Sequence, residues 1–275
     1  MKKAKILVSL LLISLLAFST MQLISGNFAS ASTCAANFLP TYYVAGTDTP
    51  NEITLSHSVA NYIVSVLNSK YPIYDYRDSA CTGNNYKTIL SALQNYDNAV
   101  IYSKGHRNAK TCDYGNTHYG LIMNDSTTVW DYDIYPRTSS KNVHSFIWHC
   151  QTAIMPTGTN PDACGYRGLP IAFTHNLNIP RWGSTGSQVY LGWTDSVPPY
   201  PYPQPLGGSP QYEWTINANY NYAQVAALYY YYMGQNYQTS AALIAMANTI
   251  YGTSFQNTYL ANWLDVYGNM YVRLP

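Results

Sequence analysis

The sequence predicts an α/β fold: a three-layer α/β/α sandwich around a mostly parallel central sheet. Three observations point there. β-rich apolar runs alternate along the chain with segments whose apolar residues recur at helical spacing. Two of those runs, Ala99–Ser103 and Val143–His149, stop abruptly at polar, chemistry-bearing residues, as strands of an open parallel sheet do at their carboxyl ends. The chain has 275 residues and no internal repeat at a solenoid period, which suits one large domain with a substantial core.

Taken in order, residues 1–31 read as an export signal rather than as fold. Lys2, Lys3 and Lys5 form a basic start, Ile6 to Phe18 an apolar centre, and Ala29-Ser-Ala31 a small-residue cleavage site. The apolar centre is short of the about 20 residues of a comfortable membrane span. A single domain is then expected over residues 32–275. It starts with a strand at Tyr42–Ala45, a helix over Leu55–Leu67 (Val59, Ile63, Val66 and Leu67 on one face) and a strand at Pro72–Tyr76. A second helix follows over Asn84–Tyr96, then the strand Ala99–Ser103, which runs on to Gly105-His106. A long polar loop through Arg107, Cys112 and His118 leads to a short hairpin arm at Tyr119–Met123.

Val143–His149 is the next strand and ends at Cys150. Leu169–Thr174 and Gln188–Trp193 read as further strands, and Val266–Leu274 as a closing one. The segment Pro198–Pro210 holds six of the chain's 15 prolines, so it is neither central strand nor helix. Two readings stand for it: a semi-rigid surface flap near the site, or a plain spacer. Tyr220–Met233 and Thr239–Ile250 are helices, each followed by a glycine suited to a helix end. The run Tyr229–Tyr232 must point around its helix, with part of it in the core.

Composition excludes some functions. Of 14 Lys and Arg, three lie in residues 1–31, and none of the 13 Asp and Glu do; 11 basic against 13 acidic leaves a mature net charge of −2. No basic stripe remains, which argues against nucleic acid and anionic membranes as partners. No later apolar run reaches spanning length, so no integral span is expected in the mature chain. The expected location is extracellular: secreted or at the cell surface.

Five cysteines remain after export, an odd number in an oxidising compartment. Cys150 is the candidate for a free thiol. Cys112 and Cys164 each lie just beyond one of the two strand ends, so a bridge between them would tie those loops; Cys34–Cys81 would then staple the mature N-terminus. Sequence alone leaves the connectivity open.

The two strand ends carry the chemistry. A thiol is nucleophilic as thiolate, and a neighbouring imidazole both favours that form and shuttles the proton. His106 and Cys150, each launched from the end of a strand, meet this need if the strands are neighbours. A cysteine at a strand end is also commonly a small buried hydrophobe or half of a disulfide. His118, His144 and His175 read as structural groups, with His175 the fallback base if the cysteine preceded its histidine in the pair. His118, His144, His149 and Cys150 invite a zinc reading, but no ligand spacing supports one, so no metal is expected. Asp125 and Asp131 read as loop carboxylates, and Asn124-Asp-Ser126 has the form of a glycosylation acceptor.

The runs Val100-Ile-Tyr-Ser-Lys-Gly-His106, Gly120-Leu-Ile-Met-Asn-Asp125 and Phe146-Ile-Trp-His-Cys150-Gln-Thr-Ala153 resemble the caspase-like (clan CD) cysteine peptidases, which include caspases, legumain, clostripain and gingipain. Gly168–Thr174 and Val189–Asp195 are similar to the strands that follow the catalytic cysteine in secreted members. The 44 residues from His106 to Cys150 compare with about 50 in caspases.

The resemblance implies peptide-bond hydrolysis through an acyl-thioester, with Cys150 as nucleophile and His106 as its imidazole partner. The oxyanion hole would use the backbone N–H of Cys150 and the N–H of Arg107. Two departures stand out: Arg107 replaces a glycine, and His149 replaces the small residue before the cysteine. By strand alternation His149 should face away from Cys150.

The substrate would be a protein or peptide. Trp193 and Asp195 are assigned to its pocket, Asp195 favouring Arg or Lys before the cut; a turn or capping role for Asp195 stands beside this. No organic cofactor is implied, and calcium enters through the resemblance alone. Two other functions compete: a catalytically inactive caspase-like binding or structural module, and another thiol hydrolase or a transpeptidase.

Overall fold

The computed structural model describes residues 33–41, 50–155, 163–201 and 220–275, all within one compact unit, Ser32–Pro275. The expected signal segment and the expected strand at Tyr42–Ala45 lie outside the described residues.

The central sheet has six strands: β1 (Thr33–Leu39), β2 (Ile73–Arg77), β3 (Asn98–Lys104), β7 (Asn142–Trp148), β8 (Val189–Trp193) and β9 (Leu264–Gly268). Their spatial order is β2-β1-β3-β7-β8-β9, and every neighbouring pair is parallel except β8 with β9. A second, antiparallel sheet of β4 (Arg107–Thr111), β5 (Thr117–Ile122) and β6 (Thr128–Trp130) sits in the connection from β3 to β7.

Alternation along the strands builds two cores. Ala35, Val100, Tyr102, Phe146, Trp148, Leu191 and Trp193 face one side. There they meet α1 (Pro50–Asn68), α5 (Tyr222–Gly234) and α6 (Thr239–Tyr251). Ala36, Phe38, Ile101, Ile147 and Tyr190 face the other side, against α2 (Gly83–Leu93), α3 (Asp131–Ile134) and α4 (Leu169–Thr174). Helices on both faces of a mostly parallel sheet make the three-layer α/β/α architecture read from the sequence.

The helices form where spacing and caps dictate. Thr82 caps α2 by accepting from the Asn85 N–H at 3.2 Å, and Tyr86, Ile89, Leu90 and Leu93 make its buried face. Asn221 and Gln224 form a capping box on α5, and Gly252 ends α6 in the left-handed region at φ 70. In the tyrosine run, Tyr229 and Tyr230 are buried while Tyr231 is exposed. Among the described residues no helix is long and apolar enough to cross a membrane.

Four elements differ from expectation. The first strand of the sheet is β1 at Thr33–Leu39, a stretch to which the sequence reading gives no element. Leu169–Thr174 is α4, not a strand: Pro170 stands in its first turn, where a missing N–H costs nothing, and the segment is buried all round. Six apolar residues in a row carry no period to separate the two forms. The polar stretch Arg107–Thr111 is a strand of the second sheet. The closing strand is Leu264–Gly268, ended by Gly268 at φ 91, earlier than the Val266–Leu274 expected.

Candidate active site

β3 and β7 are parallel neighbours with Lys104 paired to Trp148. His106 and Cys150 each lie two residues past that pair, beyond the carboxyl edge of the sheet. Two further bonds fix the strand ends together. Gly105 N–H donates to Trp148 O at 3.3 Å, and His149 Nδ1 lies 2.7 Å from His106 O. The two halves of the proposed pair therefore leave adjacent strands side by side.

His149 explains the Gly-His ending. Its ring is fully buried, with Nε2 2.9 Å from Ser103 Oγ. A carbonyl only accepts, so Nδ1 carries the hydrogen, and Nε2 accepts from the Ser103 hydroxyl. Burial pushes the imidazole down to about 3, so it is neutral at physiological pH. A Cβ on Gly105 would stand 2.8 Å from His149 Cε1 and 2.9 Å from Pro40 Cγ. Only glycine leaves room for that ring.

The turn after β7 is held from three sides. The Thr152 hydroxyl is 2.9 Å from His149 O and 3.1 Å from Ile147 O, and it also accepts from Trp193 N–H at 3.2 Å. Gln151 N–H donates to Asp195 O and Ala153 N–H to Trp193 O. Gln151 takes φ 53 to make the bend. Cys150 is free and half-buried, and its sulfur accepts from Val197 N–H at 3.3 Å. The His149 ring meets Ser103 instead, so the two neighbours diverge as strand alternation requires.

Beside His106 stands a charged pair that sequence reasoning missed. Lys104 Nζ lies 2.5 Å from Glu52 Oε1, with side-chain exposures of 10% and 6%. Glu52 Oε2 accepts from Tyr200 N–H at 2.6 Å, and the ammonium sits 4.5 Å over the Tyr200 ring. Tyr200 also bonds Tyr102 through their hydroxyls and packs edge-on to Trp148 at 5.1 Å. The start of the proline-rich segment is thus anchored in the core next to the site, not laid over the surface; residues 202–219 lie outside the described residues. Glu52 and Tyr200 are far from Lys104 in sequence, and no local pattern announces them.

The other sequence candidates sort as follows. Arg107 opens β4, with its guanidinium 5.6 Å from the Tyr119 ring. Ile122 N–H donates to His106 O, which puts Arg107 at the next, non-bonded position of the ladder, so its own N–H turns away from β5. Asp195 is exposed beside the Cys150 turn, and its Oδ1 accepts from Ser196 N–H at 2.7 Å, a turn contact. Trp193 does not fit the substrate pocket: it is fully buried, 4.7 Å from Trp148 in the core.

Cys112 and Cys164 form the expected disulfide. Cys34 and Cys81 do not pair; both are free and buried. Burial raises the Cys34 thiol, which has Tyr96 beside it at the start of β1, whereas the Cys81 thiol lies by Leu39 at the end of that strand. Five strand steps, about 16 Å, separate those positions, far beyond a disulfide's reach.

His144 is buried, lowered to about 3 by that burial, and bonded to Tyr229 OH at 2.8 Å. His175 stacks on Tyr135 at 4.0 Å and follows Thr174, whose carbonyl accepts from Gln188 near Asn142. That is the amino end of β7, about 20 Å of strand from Cys150, so His175 cannot serve as its base. Asp125 accepts from Gly83 N–H at the start of α2, a helix-end role. His118, His144, His149 and Cys150 do not converge. Of the described residues, Cys112, His118 and Cys164 cluster within 4.8 Å, but both sulfurs are spent in the disulfide.

No family model matches the chain, and no curated protein matches it. Its structure is similar to that of the Drosophila initiator caspase Dronc. The likeness has a TM-score of 0.42 and 9% identity, and covers 88% of this chain and 81% of that one. At that level it assigns no residue a role.

Proposed function

We propose that the chain is a caspase-like cysteine endopeptidase in which Cys150 is the nucleophile and His106 its imidazole partner. The observation that carries this is the equal placement of the two residues past the Lys104–Trp148 pair, on adjacent strands, with Cys150 unbridged. The Cys150 thiol passes its proton to His106, and the thiolate attacks the scissile carbonyl. The amine leaves with the proton from the imidazolium, and water then hydrolyses the acyl-thioester.

The oxyanion is assigned to the N–H groups of Cys150 and Arg107. Support comes from the outward turn of the Arg107 N–H, since that group is not used by the β4–β5 ladder. The substrate is a protein or peptide, and a preference for a basic side chain is assigned to Asp195, supported by its exposure next to the Cys150 turn. The expected setting is outside the cell, as the Cys112–Cys164 disulfide suits an oxidising compartment.

The second reading, a non-catalytic module on the same scaffold, draws on Arg107, whose bulk stands where related enzymes keep glycine. Labelling separates them. An acyloxymethyl ketone peptide ending in Arg should modify Cys150 in the folded protein and not in His106→Ala. Labelling no faster than that of an ordinary exposed thiol favours the module.

A further inference from the structure

Away from the candidate active site, the structure holds a second sulfur–imidazole–carboxylate arrangement. The Cys112–Cys164 disulfide joins the turn after β4 to the turn at 163–165, ahead of α4. His118 on β5 places Nε2 3.1 Å from Cys164 Sγ and Nδ1 2.8 Å from Asp131 Oδ1. Ring and carboxylate are buried, with side-chain exposures of 2% and 0%.

The carboxylate is itself fixed, since its Oδ2 accepts from the N–H groups of Arg167 and Gly168 at 3.0 and 3.2 Å. Asp131 only accepts, so Nδ1 donates to it, and a disulfide sulfur has no hydrogen, so in the 3.1 Å contact Nε2 donates to Cys164 Sγ. Tyr132 and Tyr166 stand edge-on to the ring at 5.2 and 5.4 Å, and Lys110 lies opposite His118 in the β4–β5 ladder. A bridge that only staples two loops has no need of an oriented N–H donor at one sulfur.

The bridge is also reachable. Cys164 is exposed and Cys112 half-buried, and both line an open cleft of about 350 Å³ with Lys110, Asp113 and Tyr114.

We propose that Cys112–Cys164 is a redox-active disulfide that exchanges with an external thiol, with His118 handling the proton at Cys164. An external thiolate attacks Cys112 Sγ; the S–S bond breaks, and a mixed disulfide forms at Cys112. Cys164 leaves as a thiolate and takes the Nε2 hydrogen of His118, which the proton lost by the incoming thiol then replaces. A second thiol of the same reductant then displaces Cys112 from the mixed disulfide. The reductant ends as its own disulfide, and the protein gains two electrons and two protons. Asp131 is a positioning residue that fixes the tautomer and aim of the ring.

The test uses the folded chain and glutathione at neutral pH, with acid quench and mass mapping of the adduct. The expected result is glutathione on Cys112 with Cys164 free, formed faster than the chain globally unfolds. In folded His118→Asn the exchange should slow at least about tenfold, because a positioned acid–base group contributes about 10²–10⁴-fold. Glutathione on Cys164, opening only at the rate of global unfolding, or an unchanged rate in folded His118→Asn overturns the proposal. If His118→Asn does not fold, the adduct position and the rate comparison in the unaltered chain decide. None of these readouts depends on peptidase activity, so the two proposals fail separately.

Discussion

His149 donates its Nδ1 hydrogen to the backbone carbonyl of His106 across 2.7 Å. That bond locks together the two strand ends that carry the imidazole and the thiol. His149 is thus a brace for the candidate site. Its ring fills the space Gly105 leaves open, and Ser103 satisfies its other nitrogen.

Gly105→Ala tests the brace. The new methyl meets His149 Cε1 and Pro40 Cγ below 3.0 Å, and overpacking of this kind costs about 1–3 kcal/mol. Chemical denaturation should show that loss, with slower labelling of Cys150 in the protein that remains folded. Unchanged stability would mean the ring is free to move aside.

Glu52→Gln should be among the more damaging single changes near the site. Lys104 would keep its buried charge without the opposite one, and breaking a buried pair from one side costs about 3–5 kcal/mol. Replacing both partners together should cost less than Glu52→Gln alone, which a denaturation series on the two variants will check.

Acid should weaken the fold through two neutral histidines. Burial holds His149 and His144 at about 3 in the folded chain, against about 6.5 unfolded. Between those values the unfolded chain binds more protons. Stability from this source is complete above pH 6.5 and falls as the pH drops toward 3. Thermal midpoints measured from pH 7.5 to 4 should decline. His149→Gln should have the shallower slope even though it starts from a lower midpoint.

The thiols should fall into distinct classes. Iodoacetamide on the native chain should modify Cys150 alone, because Cys34 and Cys81 are buried and burial raises both thiols. Unfolding without reductant should bring the total to three adducts, and reduction to five. Two further native adducts would contradict the burial of those residues.

The sheet was legible in the sequence where burial writes a pattern. The runs ending at His106 and Cys150 are β3 and β7; that they are neighbours was a condition of the sequence reading, and the sheet order supplies it. β4 was not legible, because Arg107–Thr111 lies on the edge of a small sheet and carries the polar residues of a loop. α4 was misread because an apolar run buried on every side shows no period, although Pro170 marks a first turn. The Lys104–Glu52–Tyr200 contact was invisible, since it joins residues distant in the chain. Trp193 sits in a motif that looks like a pocket wall, but its position on β8 points it into the core.

The most direct check of the central claim is the rate at which the Arg-terminated acyloxymethyl ketone modifies Cys150 in the unaltered chain and in folded His106→Ala. The account requires fast, single-site modification that drops by about 10²-fold or more when the imidazole is removed. Equal rates in the two proteins would show that the ring and the sulfur, though launched from neighbouring strands, do not act on one another.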